Sequence, residues 1–418
     1  MAGKTLSEKI IGAHCSKEVK AGETVIVNVD LSYVQDGTGP LTVRRMKEMG
    51  IEVAFNPKKT IFFLDHASPS PRMELSNDHE LMRDFARKSG IIFSDVGNGI
   101  SHHNSLEKYA CPGDIIVGAD SHTCTNGALG AFGTGMGSTD VAAAIALGKT
   151  WMRVPETYLV EVNGRLPKGV YSKDIILYLI GTIGSNGATY KALEFTGDTI
   201  SGLSTAARST IANMSVEAGA KAGLFSPDSE TRNFLKTMGR EEAFKELKSD
   251  EDAVFEKKIQ IKVDELEPLI AVPHLVDNVK KISEIGKVKV NEVFIGTSCN
   301  GRLEDLHIAA SILKGHTINP DTRVIVTPAS RRVYMEALKD GTIETFMEAG
   351  ALVTGAGCGA CDGVHLGILG DGEVCLATQP RNFKGRMGDP DSFIYLANPA
   401  VAAATALAGE ISDPREVM

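Results

Sequence analysis

The stretch EVFIGTSCNGRLEDLHIAASILKG, residues 292–315, joins an apolar run to a helical pattern through a short polar link. The run EVFIG contains β-branched and aromatic residues, which is typical of a buried strand. From Leu303 onward, apolar residues recur at the spacing of a helix. The stretch therefore predicts a βα unit, with Cys299 at the carboxyl end of its strand.

The same alternation recurs along the chain. Four further runs climb through β-branched residues and then break into small or polar ones: TVIVNVD (24–30), TIFFLDH (60–66), DIIVGADSH (114–122) and RVIVTPAS (323–330). Helical patterns follow several of these runs, which we interpret as buried parallel strands. Asn398 and Pro399 predict the N-cap and the first helical position of a last helix. We therefore expect an α/β fold with mainly parallel sheets.

The length of the chain predicts several domains. Its 418 residues exceed the size at which one hydrophobic core stops growing. A new strand, ETYLVEV, begins after residue 154, and a turn-rich segment ends near residue 285. We predict three α/β/α domains packed around one site, at residues 1–154, 155–285 and 286–418.

Composition excludes several classes of protein. The formal net charge is −9 and there is no long basic run, so the sequence indicates neither nucleic acid nor an anionic membrane as a partner. The longest apolar run, IILYLIGTIG (175–184), is far shorter than the roughly 20 residues that span a bilayer. The first residues offer no apolar signal segment. We expect a cytoplasmic protein.

The cysteines fall into two classes. There are seven in the chain, an odd number that argues against a disulfide framework and for reduced thiols. Three lie in strand-end or glycine-rich segments: Cys299, and Cys358 with Cys361 in TGAGCGACDG (354–363). The other four lack ligand-like spacing and are expected to be buried and inert: Cys15, Cys111, Cys124 and Cys375.

Other polar residues also gather at strand ends. Asp65 and His66 follow TIFFL, Asp120 and His122 follow DIIVG, and the segment SHHN (101–104) follows IIFSDVGNGI. One Asp-His pair is more often a capped turn than a catalyst, but two pairs at strand ends are harder to dismiss. Ligands of parallel sheets bind beyond the carboxyl ends of the strands, so these residues and the cysteines predict one shared site.

The CxxC pair alone leaves three alternatives open: a redox pair, half of a zinc site, or two buried thiols. The third thiol favours a fourth alternative, a [4Fe–4S] cluster with one iron free of protein ligand, because three thiolates leave a tetrahedral zinc one ligand short. The glycine-rich segment 127–140 lacks the G-x-G-x-x-G spacing, so nucleotide binding is discounted.

From end to end, the chain resembles the large subunits of the aconitase superfamily, of the short type found in 3-isopropylmalate dehydratase and homoaconitase. The matching segments include VQDGTGP (34–40), GISHH (99–103), GADSHT (118–123), LEFTGDTISGLSTAARSTIANMSVEAGA (193–220), IGTSCNGRLEDL (295–306), GAGCGACDG (355–363) and RNFKGRMGDP (381–390).

The resemblance implies a role for each matching residue. It implies cluster ligands at Cys299, Cys358 and Cys361, and a proton donor to the departing hydroxyl at Asp65 and His66. It implies a second pair near the open iron at Asp120 and His122, and a further active-site histidine at His102. It implies an acid hydrogen-bonded to the iron-bound oxygen at Glu194, and substrate-facing residues at Gln35, Arg381 and Arg386.

The resemblance also implies an activity. It is that of a hydro-lyase of leucine biosynthesis, which isomerises 2-isopropylmalate and 3-isopropylmalate by dehydration and rehydration. A separate small subunit with a swivelling domain is expected to supply the serine base and the specificity loop. The alternatives are homoaconitase or a dimethylmalate-type dehydratase, an apo-form iron sensor that binds RNA, and a zinc-binding structural protein. The net charge argues against the RNA-binding alternative.

One position departs from the family pattern. Pro380 precedes Arg381 where the family usually has asparagine, as in NRNF. The change removes an amide that would otherwise be available to hydrogen-bond the cluster or the substrate. Whether Arg381 still reaches the predicted site therefore depends on the structure of this segment.

Overall fold

Three mainly parallel β-sheets and the helices between their strands organise the chain, and the computed structural model describes residues 3–418. The α/β fold class predicted from the strand and helix patterns is confirmed. None of the helices within residues 3–418 is long and apolar enough to cross a bilayer.

The first sheet has five parallel strands in the order β4-β3-β2-β5-β6. Its strands are β2 (Leu31–Gln35), β3 (Thr60–Phe63), β4 (Ile92–Ser94), β5 (Ile115–Gly118) and β6 (Phe132–Gly135). A separate antiparallel pair consists of β1 (Thr24–Asn28) and β7 (Lys149–Arg153). The helices of this region are α1 (Leu6–Cys15), α2 (Gly39–Glu48), α3 (Met73–Ser89), α4 (Ser101–Lys108) and α5 (Ser138–Leu147).

The second sheet has four parallel strands in the order β10-β9-β8-β11. These are β8 (Thr157–Asn163), β9 (Ala192–Thr196), β10 (Ala222–Phe225) and β11 (Lys257–Lys262). Its helices are α6 (Ser172–Ile183), α7 (Asp198–Gly202), α8 (Thr205–Met214) and α9 (Ser229–Thr237).

The third sheet has seven strands in the order β13-β12-β18-β17-β14-β15-β16. They are β12 (Leu269–Ala271), β13 (Val279–Lys281), β14 (Glu292–Gly296), β15 (Arg323–Thr327), β16 (Leu352–Val353), β17 (Val374–Ala377) and β18 (Phe393–Ala397). Its helices are α10 (Thr297–Asn300), α11 (Leu303–Leu313), α12 (Arg331–Lys339), α13 (Thr342–Ala349) and α14 (Pro399–Ala408). Strands β12 and β13 run antiparallel and precede residue 285, so part of this sheet lies before the predicted domain limit there, and the limits themselves stay a prediction.

The first predicted strand differs in the structure. TVIVNVD was expected to be a buried parallel strand, but β1 is antiparallel and its side chains alternate between exposed and buried. Ile26 is 61% exposed, so the unbroken apolar run does not reflect burial on both faces. The central strand nearby is instead β2, LSYVQ, whose five residues are all buried.

Several local predictions are confirmed. The opening stretch folds as β14, then α10 with Cys299, then α11. Asn398 caps α14 through its side chain, which accepts hydrogen bonds from the backbone N–H groups of Ala400 and Val401 at 2.9 and 3.0 Å. Pro399 is the first residue of that helix, where a missing N–H costs nothing.

Candidate active site

The three predicted ligand cysteines are buried in one apolar cluster that joins residues of the second and third sheets. Cys299 lies in α10 at the end of β14, while Cys358 directly precedes the 3-10 turn Gly359–Asp362 and Cys361 lies within it. The sulfur of Cys358 is 3.8 Å from Oγ1 of Thr297, two residues before Cys299. The structure therefore brings these thiols together, and we call Cys299, Cys358 and Cys361 the cysteine group.

The spread of the sulfur atoms bears on what they hold. Among residues 3–418, the three sulfurs are not all within 4.8 Å of one another. Three thiolates on one zinc, each about 2.3 Å from the metal, would be roughly 3.8 Å apart. The set as a whole is therefore wider than one zinc ion requires, although the Cys358 and Cys361 thiols hydrogen-bond each other.

The turn between the two cysteines is tight. Gly359 has φ +66, and a Cβ atom there would lie 2.5 Å from Oγ1 of Thr327. Glycine is the residue that adopts this conformation without strain, and its lack of a side chain leaves backbone beside the sulfurs. One carboxylate oxygen of Asp362, in the same turn, is buried without a hydrogen-bond partner. A buried polar atom of this kind indicates that a further group belongs here.

Arg386 supplies positive charge to this turn. Its Nε donates to the carbonyl oxygen of Cys361 at 2.6 Å, and its Nη2 lies 3.4 Å from the Cys361 sulfur. A hydrogen bond between the two thiols raises the pKa of Cys358 and lowers that of Cys361, and the charge of Arg386 lowers the pKa of Cys361 further. Cys361 is thus favoured as a thiolate, the form that binds metals.

Beside these thiols lies a second group of buried ionisable residues at the ends of β2, β3 and β5. The Nδ1 atom of His66 is 2.9 Å from Oδ1 of Asp65, and its Nε2 is 3.5 Å from Oδ2 of Asp120. Burial lowers the pKa of His66, but the charge and hydrogen bond of Asp65 and the charge of Asp120 raise it well above the usual 6.5. The neighbouring carboxylates thus favour the protonated imidazole.

His102, the second residue of α4, approaches the same carboxylate. Its Nε2 is 3.2 Å from Oδ1 of Asp120 but has no hydrogen bond, while its Nδ1 is 3.2 Å from the hydroxyl of Tyr33. Gln35 donates from Nε2 to Oδ2 of Asp120 at 3.2 Å. Burial raises the pKa of Asp120, and the neighbouring charges of His102 and His66 lower it well below 3.8. Asp120 is thus the anionic centre of this group.

His122 follows Asp120 and pairs with a carboxylate that the sequence reasoning missed. Its Nε2 is 3.0 Å from Oε1 of Glu217, and the same oxygen accepts a 2.8 Å hydrogen bond from Nε of Arg381. Arg381 also donates to the hydroxyl of Ser121 at 2.9 Å. Burial and the charge of Arg381 lower the pKa of His122. Hydrogen bonds to Asp120 and Glu217 raise it by more, so the net change is upward.

Glu194, which the resemblance implies as the acid hydrogen-bonded to the iron-bound oxygen, lies away from these histidines. Its carboxylate accepts hydrogen bonds from the hydroxyl of Ser249 at 2.6 and 2.8 Å and from the backbone N–H of Leu6 at 3.3 Å. These contacts tie β9 to the start of α1. The geometry therefore gives Glu217, and not Glu194, the place beside His122. We call Asp65, His66, His102, Asp120, His122 and Glu217 the histidine group.

A second missed residue, Asp36, holds the loop that carries His66. Its carboxylate accepts backbone N–H groups of Asp65, His66 and Ala67 at 3.1, 2.8 and 2.8 Å, and it lies 3.1 Å from Nε2 of His79. Burial raises the pKa of Asp36, but the hydrogen bond of His79 and the charge of His66 lower it below its usual range. Its position next to Gln35, at the end of a strand, was the available signal.

Pro380 is flanked by a residue that provides an amide. Gln379 is fully buried, and its Nε2 donates to the carbonyl oxygen of Arg381 at 2.7 Å. Arg381 nevertheless reaches the histidine group. Replacement of the usual asparagine by proline therefore leaves Arg381 at the site.

The histidine and cysteine groups are in direct contact. The backbone N–H of Cys358 donates to the carbonyl oxygen of Asp65 at 2.8 Å. His66 is the residue after Asp65, so this backbone hydrogen bond holds the loop of His66 beside the loop of Cys358. Buried acids and bases beside a set of thiols are the arrangement expected of a metal-assisted acid–base catalyst.

Comparison with known proteins places this site in a family. A profile of the Aconitase family (aconitate hydratase) matches residues 8–409. The 3-isopropylmalate dehydratase large subunit of Elusimicrobium minutum is 59% identical over 415 residues, 99% of each chain. The large subunit 1 of Thermotoga maritima is 58% identical over 99% of each chain, and the large subunit 2 of Archaeoglobus fulgidus is 55% identical over 100% of each chain.

A solved structure agrees at the level of the fold. The holo-form of aconitase X from Thermococcus kodakaraensis matches 88% of this chain and 89% of its own, with a TM-score of 0.51 at 13% identity. The resemblance noted in the sequence is confirmed by the family profile and by relatives of full length. The chain belongs to the aconitase family.

Proposed function

We propose that this chain is the large subunit of a 3-isopropylmalate dehydratase, a hydro-lyase that interconverts 2-isopropylmalate and 3-isopropylmalate by dehydration and rehydration. Full-length relatives at 55–59% identity carry that name. The observation that carries the proposal is the 2.8 Å hydrogen bond joining Cys358 to Asp65, because it sets His66, whose pKa is raised, beside the thiol loop.

Cys299, Cys358 and Cys361 are the proposed ligands of one [4Fe–4S] cluster per chain, with one iron left free of protein ligand. The family implies such a cluster, and the buried thiols are the residues that would hold it, in a turn where one oxygen of Asp362 is buried without a partner. When bound, the cluster supplies a Lewis acid that polarises the C–O bond of the hydroxy acid. The remaining chemistry falls to the side chains.

His66 is the proposed proton donor to the departing hydroxyl. Hydroxide is a poor leaving group, and protonation in the transition state makes the C–O bond easier to break. The raised pKa of His66 favours the protonated ring that a proton donor needs, and Asp65 fixes the ring through Nδ1 at 2.9 Å. The opposite ring nitrogen, Nε2, is thereby left to face Asp120 and the reacting group.

Arg381, Arg386 and Gln35 are the proposed substrate-facing residues. A guanidinium binds a carboxylate with two parallel hydrogen bonds, which suits a dicarboxylic hydroxy acid. Glu217 holds Arg381 from the side at 2.8 Å and His122 at 3.0 Å, so it fixes both relative to Asp120. His102 lies on the other side of that carboxylate. In this proposal the arginines and Gln35 orient the substrate, while Gln35 and His102 also contact the carboxylate of Asp120.

A separate small subunit is the proposed partner, because the relatives are named as large subunits. It is expected to supply the serine base and the loop that selects the substrate side chain. Homoaconitase and dimethylmalate-type activities are the alternatives within the family, and they differ in that loop.

The test is reconstitution with both subunits. The chain is loaded anaerobically with iron and sulfide, mixed with its cognate small subunit, and supplied with 2-isopropylmalate, homocitrate or dimethylmalate in parallel. We expect conversion of 2-isopropylmalate to 3-isopropylmalate in the mixture, and no conversion by the loaded chain alone. Faster turnover of homocitrate, or full activity without the partner, would contradict the proposal.

A further inference from the structure

Lys173 is a completely buried lysine beside the cysteine group. It is the second residue of α6, and its side chain has no solvent exposure. Its Nζ donates to the carbonyl oxygens of Thr378 and Gln379 at 2.6 and 2.8 Å. The same nitrogen lies 3.4 Å from the sulfur of Cys299 and 3.4 Å from Oδ1 of Asn300. A single ammonium group thus contacts a predicted ligand sulfur and two strand-end carbonyls.

The charge of this lysine has no carboxylate partner. Within residues 3–418, no Asp or Glu oxygen lies within 4.0 Å of Lys173 Nζ. The adjacent acid, Asp174, directs its oxygens to the N–H groups of Leu269 and Tyr171, at 2.7 Å each, and to the side chain of Asn398 at 2.8 Å. A buried cation without a counter-charge is costly. The sulfur of Cys299, at 3.4 Å, is the group that would become an anion on binding a metal.

The backbone around Cys299 is held separately. Arg302 donates to the carbonyl oxygens of Cys299 and Ser298 at 2.5 Å each, so it fixes the main chain of the turn. Lys173 contacts the sulfur itself. Arg302 therefore holds the main chain of the turn, and Lys173 contacts the proposed ligand atom.

We propose that Lys173 is a positioning residue for the cluster, whose ammonium donates an N–H to the sulfur of Cys299 and supplies the counter-charge of that thiolate. The proposal rests on the cysteine group being the ligand set. A hydrogen bond and a positive charge at a ligating sulfur withdraw electron density from the cluster, which raises its reduction potential. They also hold the sulfur in place as a ligand, which slows the loss of the metal.

Lys173→Met tests this, because methionine keeps an unbranched apolar chain and removes the charge and the donor. Lys221→Met is the matched control, since Lys221 is half-buried and its ammonium contacts the carbonyl oxygen of Gly135 at 3.2 Å instead of a sulfur. The parent and both variants are reconstituted anaerobically. Iron and sulfide per chain, the rate of cluster loss to a chelator, and the reduction potential are measured.

We expect Lys173→Met to lose its cluster about 10–100-fold faster than the parent, the usual effect of removing a partner of a metal ligand. Its potential is expected to shift to more negative values, and Lys221→Met is expected to match the parent. The rise in melting temperature on loading is expected to shrink in Lys173→Met. A purely structural role would instead lower the melting temperatures of apo and loaded protein alike and leave the potential unchanged.

A spectroscopic measurement on the parent covers the case in which Lys173→Met does not fold. Protein labelled with ¹⁵N-lysine is reduced, and a hyperfine coupling between the paramagnetic cluster and a lysine nitrogen is expected. Its absence would overturn the proposal, as would parent-like cluster loss and potential in a folded Lys173→Met. If the parent itself binds no cluster, the proposed function fails first; if only these readouts fail, the proposed function stands.

Discussion

The histidine group and the cysteine group adjoin each other, but the side chains that neighbour them carry opposite charges. The imidazole rings of His66, His102 and His122 each lie within 3.5 Å of a carboxylate oxygen. The sulfurs of Cys299 and Cys361 are instead approached by the cations of Lys173 and Arg386, each at 3.4 Å. Anions surround the rings, and cations approach the thiols.

This difference separates two chemical tasks within one site. Carboxylates beside a buried imidazole favour its protonated form, and the pKa values of His66 and His122 are raised accordingly. Cations beside a sulfur favour the thiolate that binds metal; the pKa of Cys361 is lowered overall, whereas burial raises that of Cys299 in spite of Lys173. The backbone contact from Cys358 to Asp65 keeps the two tasks within reach of one substrate.

The largest expected effect breaks the cysteine group. Cys299→Ser, Cys358→Ser and Cys361→Ser are each expected to abolish the four-iron cluster, because a serine hydroxyl is a poor substitute for a soft thiolate ligand. The measurement is iron and sulfide content, with visible absorption, after anaerobic reconstitution.

Cys124→Ser is the control for this series. Cys124 is also buried, but its sulfur contacts the carbonyl oxygen of Asn213 at 3.3 Å, and its pKa is raised by burial to about 12. We expect the control to bind a full cluster. A full cluster in any of the three ligand variants would remove that residue from the ligand set.

The next largest effect breaks the histidine group and leaves the cluster in place. His66→Ala is expected to lower turnover by about 10² to 10⁴, the usual contribution of a positioned proton donor. Cluster content is measured on the same samples, so that a loss of turnover is not confused with a loss of iron. Turnover close to that of the parent in a cluster-replete His66→Ala would exclude His66 as the acid.

A smaller effect distinguishes the two candidate acids. Glu217→Gln weakens the hydrogen bonds to His122 and Arg381, and hydrogen bonds to charged groups are worth about 1.5–3 kcal/mol, so turnover is expected to fall roughly 10–100-fold. Glu194→Gln keeps an oxygen that accepts from Ser249 and is expected to retain turnover. The measurement is kcat and KM with saturating small subunit; the reverse ranking would restore Glu194 to the site.

The sequence predicted those parts of the fold and the site that depend on short, local patterns of residues. Strands β3, β5, β14 and β15 are buried on both faces, so they appear as unbroken apolar runs that end in polar residues. Cys299 and the two Asp-His pairs follow β14, β3 and β5, whereas Cys358 and Cys361 follow the short, partly exposed strand β16 and were found by their CxxC spacing. Strand β2 was missed because LSYVQ mixes polar and apolar residues, although all five are buried by neighbours distant in sequence.

Glu217 was missed for a related reason. It lies in a 3-10 turn, Ser215–Ala218, after a helix and not after a strand, so the strand-end rule does not reach it. Its partners His122 and Arg381 are 95 and 164 residues away along the chain. Only the packing of the second sheet against the first and third brings them together. The family resemblance implied Glu194 for the acid of the site, but the carboxylate of Glu194 contacts Ser249 and Leu6 and not the histidines.

The smallest expected effect adjusts the histidine group without removing a ring. The charge of Asp65 is the largest of the influences that raise the pKa of His66 above 6.5. Since a proton donor acts in its protonated form, kcat/KM of the parent is expected to stay level through neutral pH and to fall only as the pH rises through the raised pKa. Asp65→Asn removes the negative charge, so the pKa of His66 falls and the alkaline decline moves to lower pH, by about one to two units. The pH profile of kcat/KM, recorded with cluster content held equal, gives the shift. A decline at unchanged pH in Asp65→Asn would mean that another group controls the alkaline limb, and that the carboxylates around His66 hold the ring in place without setting its charge.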